Sequence, residues 1–155
     1  MVFCCDSNVF IWGIKEQSNP AEMHRIAEAL RFFDWCDKLG FEIMFPSVVI
    51  AECLALEPID RHAAIMRIVY ESFRVVNFDE KSALRYANIL NQDKFKQALS
   101  DSRDLGISRA KMKVDFLIVA CAVAHGAGKI ISNDIGLRKF AEGILPVDGI
   151  PAIPK

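Results

Sequence analysis

Two adjacent stretches decide the fold: residues 113–126, KVDFLIVACAVAHG, and residues 129–134, KIISND. The first predicts an apolar helix that opens on a carboxylate, Asp115, and ends at a glycine. The second predicts a short buried strand that runs into Ser132 and Asp134. A helix followed by such a strand is half of a βαβ unit, and ligands of open α/β sheets bind beyond the carboxyl ends of the strands. The two acids therefore mark a candidate site.

The start of the chain also combines a buried strand with an acid. Residues 2–5 are apolar and predict a parallel strand that ends at Asp6. A helix from about Val9 follows. Asp6 suits its N-cap, because a carboxylate accepts hydrogen bonds from the free N–H groups of a first turn. Capping alone would explain this residue, so a catalytic role requires other acids to converge on it.

A third acid follows the second predicted strand. Residues 42–45 predict that strand, and a helix from Pro46 carries Glu52 among apolar neighbours. An ionised carboxylate in such surroundings is costly unless it is paired, bound to a metal or turned to solvent, and all three readings remain open. Residues 73–78 predict a further strand, with Asp79 as the cap of the next helix.

The remaining segments complete an alternation of strands and helices. Apolar residues at helical spacing form the stripes of three further helices. These are Met23, Ile26, Ala27, Leu30 and Phe33 in residues 20–39; Ile65, Ile68 and Val69 in residues 58–72; and Ala83, Leu84, Ala87 and Leu90, continued by Phe95 and Leu99. Residues 100–108 predict a loop, and residues 144–147 a last edge strand. The alternation indicates a parallel sheet with helices on both faces.

Composition fits one compact domain, residues 1–155, in a reducing compartment. The chain is 52% hydrophobic, with a mean hydropathy of +0.21 and a net charge of −1, which excludes polyanion binding by bulk charge alone. The longest apolar run, Phe116–Ala124, is too short to cross a bilayer, and the N-terminus lacks the basic start of a signal peptide. The five cysteines show no CxxC spacing and predict free, buried thiols in a cytoplasmic protein.

Four acids are expected to meet in one cleft at the carboxyl edge of the sheet: Asp6, Glu52, Asp115 and Asp134. Right-handed crossovers bring the loops and helix starts that carry them to that edge. Like charges this close need protonation or a cation. An all-oxygen set without a histidine or cysteine partner favours Mg²⁺ or Mn²⁺ over zinc. Such a site suits metal-assisted hydrolysis of a phosphodiester.

Four segments resemble the signature elements of PIN-domain ribonucleases and cover nearly the whole chain. They are Asp6-Ser7-Asn8, Pro46–Glu52, Asp115–Ala120 and Ile131–Asp134. The resemblance implies a three-layer α/β/α sandwich with a mainly parallel sheet, four acids that hold Mg²⁺ or Mn²⁺, and cleavage of RNA. It also implies that Asn8 and Ser132 support the acids by hydrogen bonds. Ser7 keeps the hydroxyl of the threonine that is commonest at its place.

The size of the chain resembles the stand-alone toxins of toxin–antitoxin pairs. This implies an endoribonuclease toxin that forms a homodimer and is silenced by an antitoxin protein, with no membrane partner. A helix that carries Phe32, Phe33 and Trp35 is apolar on more than one face, which also favours a homodimer. Two alternatives keep the fold: an RNA-processing nuclease unrelated to toxins, and a non-catalytic module that binds RNA or acts as a scaffold.

Basic residues lie close to two of the acids in sequence, where they would attract a phosphate backbone that the acids repel. They are Arg103, Arg109, Lys111 and Lys113 before Asp115, and Arg138 and Lys139 after Asp134. We expect Arg109, Lys111, Lys113 and Arg138 to bind the substrate. Ordinary solvated charges are the plain alternative for each.

Other enzymes with acid clusters fit less well. A haloacid-dehalogenase-like phosphatase needs a second aspartate two positions after Asp6, where this chain has Asn8. A receiver domain needs paired acids after the first strand and a phospho-accepting aspartate after the third, where only the cap Asp79 is found. Neither GxxxxGK[ST] nor GxGxxG occurs, so nucleotide-cradling folds have no support.

Overall fold

A computed structural model describes residues 1–93 and 109–153 of the chain, except the side chains of residues 109–111. Its strands are β1 (Val2–Cys5), β2 (Glu42–Pro46), β3 (Arg74–Val76), β4 (Lys129–Ile131) and β5 (Val147–Asp148). They form one sheet in the order β3-β2-β1-β4-β5, and every pair is parallel. The predicted α/β fold with a parallel central sheet is therefore confirmed.

Helices connect the strands. They are α1 (Ser7–Gly13), a 3-10 turn (Pro20–Glu22), α2 (His24–Lys38), α3 (Ser47–Leu54), α4 (Ile59–Ser72), α5 (Glu80–Leu90), α6 (Arg109–Ala124) and α7 (Ile135–Ala141). Among the described residues no helix combines the length and apolar character that crossing a bilayer requires. The predicted stripe residues Phe95 and Leu99 and the predicted loop over 100–108 lie outside the described residues.

The connections reverse direction beside the central strand. The backbone of β1 pairs with β2 on one side, where Cys4 lies opposite Met44, and with β4 on the other, where it lies opposite Ile130. The chain moves outward from β1 to β3 and then crosses back to β4. A crevice at such a reversal is the usual ligand site of an open α/β sheet. Here β1 runs into Asp6, and β4 runs into Ser132.

Carboxylates that follow strands cap three helices. Asp6 Oδ1 accepts a hydrogen bond from Ser7 N at 2.7 Å, so α1 begins at Ser7 rather than near Val9. Asp79 accepts from Ser82 N at 2.9 Å, which confirms its predicted capping role. Asp134 caps α7 in the same way. A side-chain acceptor at this position satisfies N–H groups that lack a partner within the helix.

The helix that carries Asp115 is longer than predicted. Its described part starts at Arg109, four residues before the predicted start at Lys113. Asp115 lies on the second turn of that part, and Arg109, Lys111 and Lys113 belong to the helix rather than to a loop. At the other end Gly126 has a φ of +79°, and Ala127 N donates to the carbonyl of the buried Ala122 at 2.9 Å. This left-handed turn favours glycine and confirms the predicted stop signal.

The buried face of α2 differs from the predicted stripe. Ala29, Phe32 and Cys36 are buried, whereas Leu30 of the predicted stripe is 40% exposed. The ring of Phe32 meets that of Phe3 on β1 edge to face, with centroids 5.5 Å apart. Burying a large ring removes more apolar area from water than burying a leucine, so the aromatic side of the helix faces the sheet.

The predicted stripe of α5 is also wrong. Ser82 and Ile89 are buried, while Leu84 is 67% exposed. The hydroxyl of Ser82 donates to Asp79 Oδ1 at 3.0 Å and is hydrogen-bonded to the thiol of Cys121 on α6. The buried face of α5 therefore combines Ser82 with Ile89, and Tyr86 and Leu90 are partly buried beside them.

The aromatic side chains of α2 pack within one chain. Phe33 contacts Phe73 with ring centroids 4.9 Å apart, and Trp35 contacts Phe41 at 5.2 Å. These contacts account for the second apolar face of the helix, which therefore gives no support to a homodimer. The dimer stays a prediction.

The last strand begins later than predicted. Ile144 N and Leu145 N both donate to the carbonyl of Ala141, at 2.8 and 3.0 Å, and so close the end of α7. Strand pairing consequently starts only at Val147, instead of running over residues 144–147.

Candidate active site

One cleft of about 250 Å³ brings the four predicted acids together. It is lined by Asp6, Ser7, Asn8, Ile11, Glu52, Cys53, Leu56, Asp115 and Asp134. Three of its wall residues, Ile11, Cys53 and Leu56, were not foreseen as part of the site. A larger cavity of about 600 Å³ beside β5 has none of the four acids in its lining. The chemistry of the residues, rather than the size of the hollow, identifies the smaller cleft as the candidate site.

Asp6 is both a helix cap and a wall of the cleft. Its Oδ1 accepts from Ser7 N at 2.7 Å, and its Oδ2 accepts from the Ser132 hydroxyl at 2.6 Å. Burial raises the pKa of Asp6, the hydrogen bonds from Ser132 and Ser7 lower it, and the negative charges of Glu52 and Asp134 raise it again. The net shift is upward, so ionised Asp6 is held at a cost that a nearby cation would offset.

Ser132 connects two of the acids. Its side chain is fully buried. While its hydroxyl donates to Asp6, the same oxygen accepts from the backbone N–H of Asp134 at 3.0 Å. One small side chain thereby sets the position of one carboxylate and the backbone of another. Asn8 lines the cleft, and the supporting roles of Ser132 and Asn8 remain predictions.

Asp134 and Asp115 approach each other across Gly136. Asp134 Oδ1 accepts from Gly136 N at 2.6 Å and from Leu137 N at 3.3 Å. A Cβ atom at Gly136 would lie 2.9 Å from Asp134 Oδ1 and 4.0 Å from Asp115 Oδ2. The absence of a side chain therefore leaves room for both carboxylates. A glycine two positions after an acid was the only sequence signal for this role.

Glu52 and Asp115 differ in their exposure. Asp115 is 7% exposed on the second turn of α6, whereas Glu52 is an exposed residue of α3. The hydroxyl of Ser7 donates a short hydrogen bond to Glu52 Oε2. Ser7 thus joins the two acids of the first half of the chain, because its backbone N–H also binds Asp6. In the sequence, the hydroxyl of Ser7 was the only indication that this residue contacts the acids.

The predicted substrate-binding residues divide into three cases. Lys113 is exposed on α6, two residues before Asp115. Arg138 is also exposed, but it lines the larger cavity beside β5 instead of the acid cleft. The side chains of Arg109 and Lys111 lie outside the described residues.

The donor set of the cleft suits a hard cation. It combines four carboxylates with the Ser7 hydroxyl and the Asn8 amide, all of them oxygen donors of the kind that Mg²⁺ and Mn²⁺ prefer. Burial raises the pKa of Cys53 to about 12, so this thiol is neutral and does not make the site a soft one. Within residues 1–93 and 112–153 no three acidic, histidine or cysteine side chains form a ready-made metal group. A cation would have to draw the carboxylates together.

Comparison with known proteins places this geometry in a family. The family model of the PIN domain matches residues 3–143. A chain in the crystal structure of VapBC2 from Rickettsia felis, bound to a DNA fragment from their promoter, has a similar fold, with a TM-score of 0.65 and 15% sequence identity over 96% of this chain and 98% of that chain. No match was found among curated proteins. Because this family model matches residues 3–143, which is most of the chain, the chain belongs to the PIN domain family.

Proposed function

We propose that this protein is an endoribonuclease that depends on Mg²⁺ or Mn²⁺. The observation that carries the proposal is the meeting of Asp6, Glu52, Asp115 and Asp134 in one cleft. Membership of the PIN family supports it, since that family consists largely of nucleases that use divalent metals.

The four acids would hold the ion, and the chain's own contacts prepare them for it. Hydrogen bonds from Ser132 and from the Ser7 backbone keep Asp6 in place, and the Ser7 hydroxyl keeps Glu52 beside it. The caps on α1 and α7 attach Asp6 and Asp134 to rigid elements. When bound, the ion orients a phosphate, makes water a stronger nucleophile and neutralises charge on the leaving oxygen.

The apolar walls of the cleft would shape the approach of the substrate. Ile11 and Leu56 form apolar parts of the lining, and Leu56 is 76% exposed. A flexible single strand can bring its phosphate to a narrow cleft more readily than a rigid duplex, so we propose single-stranded or unpaired RNA as substrate. Lys113, with Arg109 and Lys111, would supply the positive charge that a phosphate backbone requires.

We further propose that the protein is the toxin of a toxin–antitoxin pair and that it forms a homodimer. The toxin proposal rests on the resemblance in motifs and on the VapBC2 complex as a neighbour in fold. An antitoxin would then be its protein partner. Co-expression with the small reading frame next to its gene tests this directly: growth arrest by the protein alone, relieved by the neighbour, is the expected result.

Cleavage of a labelled single-stranded RNA tests the nuclease proposal. The wild-type protein should cut it with Mg²⁺ or Mn²⁺ and should not cut after EDTA treatment. Asp115→Asn should abolish cleavage. Asp37→Asn, which changes an exposed acid outside the cleft, should have no effect. Cleavage that persists in EDTA, or that survives Asp115→Asn, would overturn the proposal.

A further inference from the structure

A buried ion pair lies behind the acid cleft. Lys15 Nζ is 2.5 Å from Glu57 Oε1, and both side chains are only 4% exposed. The other carboxylate oxygen of Glu57 accepts from Arg61 Nη1 at 2.8 Å, and Gln17 also hydrogen-bonds to Glu57. Buried ions are tolerated only with good geometry and full hydrogen bonding. The contacts of this cluster therefore fix Lys15 and Glu57 relative to each other.

The ion pair joins the two helices that carry Asp6 and Glu52. Lys15 lies two residues beyond the end of α1, and Glu57 three residues beyond the end of α3. The same helices are joined a second time at the cleft, where the Ser7 hydroxyl donates to Glu52. The two helices are therefore linked at two separate places.

The backbone next to Lys15 is strained. Glu16 has a φ of +50° and is the only non-glycine residue with a positive φ among the described residues. Such a conformation persists only where the surroundings impose it, and it is often found at functional sites. Here it separates Lys15 from Gln17, and both side chains bind Glu57. The strained residue therefore lets two neighbouring side chains hold the same carboxylate.

Cys53 lies between this cluster and the acids. Its thiol lines the cleft and is 3.8 Å from the carbonyl oxygen of Ser7. Burial is the main reason for its high pKa, but the charge of Lys15 lowers that pKa while Glu52 and Asp6 raise it. The charges of Lys15, Glu52 and Asp6 thus all act on this one wall residue of the cleft.

We propose that Lys15 is a positioning residue, which sets Glu52 against Asp6 through its ion pair with Glu57. The inference rests on the proposed metal-dependent function of the cleft. Lys15 itself contacts neither substrate nor metal. Its effect is transmitted from the end of α1 to the end of α3, and from there to the carboxylate five residues before Glu57.

The positive charge of Lys15 and its positioning of Glu52 have opposite effects on the affinity for Mn²⁺, which makes the proposal testable. If Lys15 acted only through its positive charge, its removal would tighten Mn²⁺ binding. If it positions Glu52, its removal weakens Mn²⁺ binding. The double variant Lys15→Met with Glu57→Gln removes one charge of each sign, so the charge effect cancels and the positioning effect remains.

The experiment measures Mn²⁺ affinity by calorimetry and RNA cleavage by steady-state kinetics, with thermal melting as the check of folding. In the double variant we expect the Kd for Mn²⁺ to rise about tenfold and kcat to fall about tenfold, as for other residues that support metal ligands indirectly. KM for RNA should stay the same, and amide hydrogen exchange around Glu52 in the metal-free protein should become faster. Lys38→Gln, which breaks the exposed pair with Asp34, is the matched control and should change none of these.

Lys15→Arg keeps the ion pair, so this variant should have the metal affinity and kcat of the wild type. If the double variant does not fold, Lys15→Met alone replaces it: loss of the charge alone would tighten Mn²⁺ binding, so weaker binding still reports the loss of positioning. Wild-type Mn²⁺ affinity and kcat in a folded variant without the ion pair would overturn this inference and leave the nuclease proposal intact. A wild-type protein that binds no Mn²⁺ and cuts no RNA would instead overturn the proposed function.

Discussion

The hydroxyl of Ser132 donates a 2.6 Å hydrogen bond to Asp6 Oδ2, although the two residues are 126 positions apart in the chain. The bond closes the crevice between β1 and β4, where the strand connections reverse. Because the Ser132 oxygen also accepts from Asp134 N, the same hydroxyl belongs to the fold and to the candidate site.

Ser132→Ala should therefore weaken both stability and activity. It leaves a buried carboxylate oxygen and a backbone N–H without their partner, which ordinarily costs about 1–3 kcal/mol. We expect the free energy of unfolding in urea to fall by that amount and RNA cleavage to slow. Ser18→Ala removes an exposed hydroxyl that bonds only the neighbouring backbone and is the control. Unchanged stability would show that the bond to Asp6 contributes little.

Asp6→Asn should not destabilise the metal-free protein at neutral pH. Burial raises the folded-state pKa of Asp6 above its ordinary value, so the folded protein binds a proton more readily than the unfolded chain. Its ionisation thus reduces stability as pH rises through the ordinary pKa of an aspartate toward the raised one. Asparagine keeps the volume and a capping oxygen but removes this penalty.

Urea denaturation in EDTA, from about pH 8 down to about pH 4, measures the effect of Asp6→Asn. The variant should be as stable as the wild type or more stable at the upper end. As the pH falls and Asp6 becomes protonated, the free energy of unfolding of the wild type should rise relative to that of the variant. A large loss of stability at neutral pH, with Asp115→Asn behaving alike, would mean that the two acids serve only the fold.

Mn²⁺ should stabilise the wild-type protein against heat. An ion that binds only the folded state at 100 times its Kd adds about 2.7 kcal/mol. We expect a rise in Tm with Mn²⁺ concentration, and none with Asp115→Asn. Differential scanning fluorimetry provides the measurement, and Ca²⁺ at equal concentration provides the ionic control. Equal stabilisation of the Asp115→Asn protein would place the ion outside the cleft.

Gly136→Ala should reduce activity without unfolding the protein. Alanine favours helices more than glycine does, by about 1 kcal/mol in a helix interior. However, its Cβ would lie 2.9 Å from Asp134 Oδ1 and displace that carboxylate. Because misplacement by about 1 Å can cost about a hundredfold in rate, we expect a loss of about tenfold in kcat with Tm nearly unchanged.

Gly128→Ala is the matched control, since its Cβ would meet only ordinary contacts at 3.7 and 3.8 Å. Full activity of Gly136→Ala would show that the cleft tolerates a shift of Asp134.

Changing Arg109, Lys111 and Lys113 together to glutamine should weaken RNA binding. Each phosphate contact releases counterions, so affinity falls with salt and the slope reports the number of contacts. In an Asp115→Asn background, which separates binding from cleavage, we expect lower affinity for single-stranded RNA and a flatter salt dependence. Arg67→Gln, on an exposed residue of α4, is the control. If the salt dependence is unchanged, these three residues do not contact the phosphates, and Arg138 and Lys139 are tested next.

The sheet and the four acids were predictable because each depends on a local pattern. A short apolar run followed by an acid gave β1 with Asp6 and β4 with Asp134, since parallel strands place their carboxyl ends at one edge. The orientation of α2 and α5 was not predictable from apolar spacing. It involves contacts with residues distant in sequence, such as Phe32 with Phe3 and Ser82 with Cys121.

The links between the acids were also beyond local patterns. Ser7 donates to Glu52, 45 positions away, and Lys15 pairs with Glu57 in a turn that the apolar periodicity does not describe. In sequence Lys15 is an ordinary loop lysine. Only the packing of α1 beside α3 makes it a buried cation.

The reversal of the strand connections divides the acids equally between the two halves of the chain. Asp6 and Glu52 come from the outward half, and Asp115 and Asp134 from the half that returns across β1. A growing chain that ends after α5 contains only the first pair. Each half alone presents an incomplete cleft, so two fragments divided between α5 and α6 would have to reassociate before the proposed activity could appear.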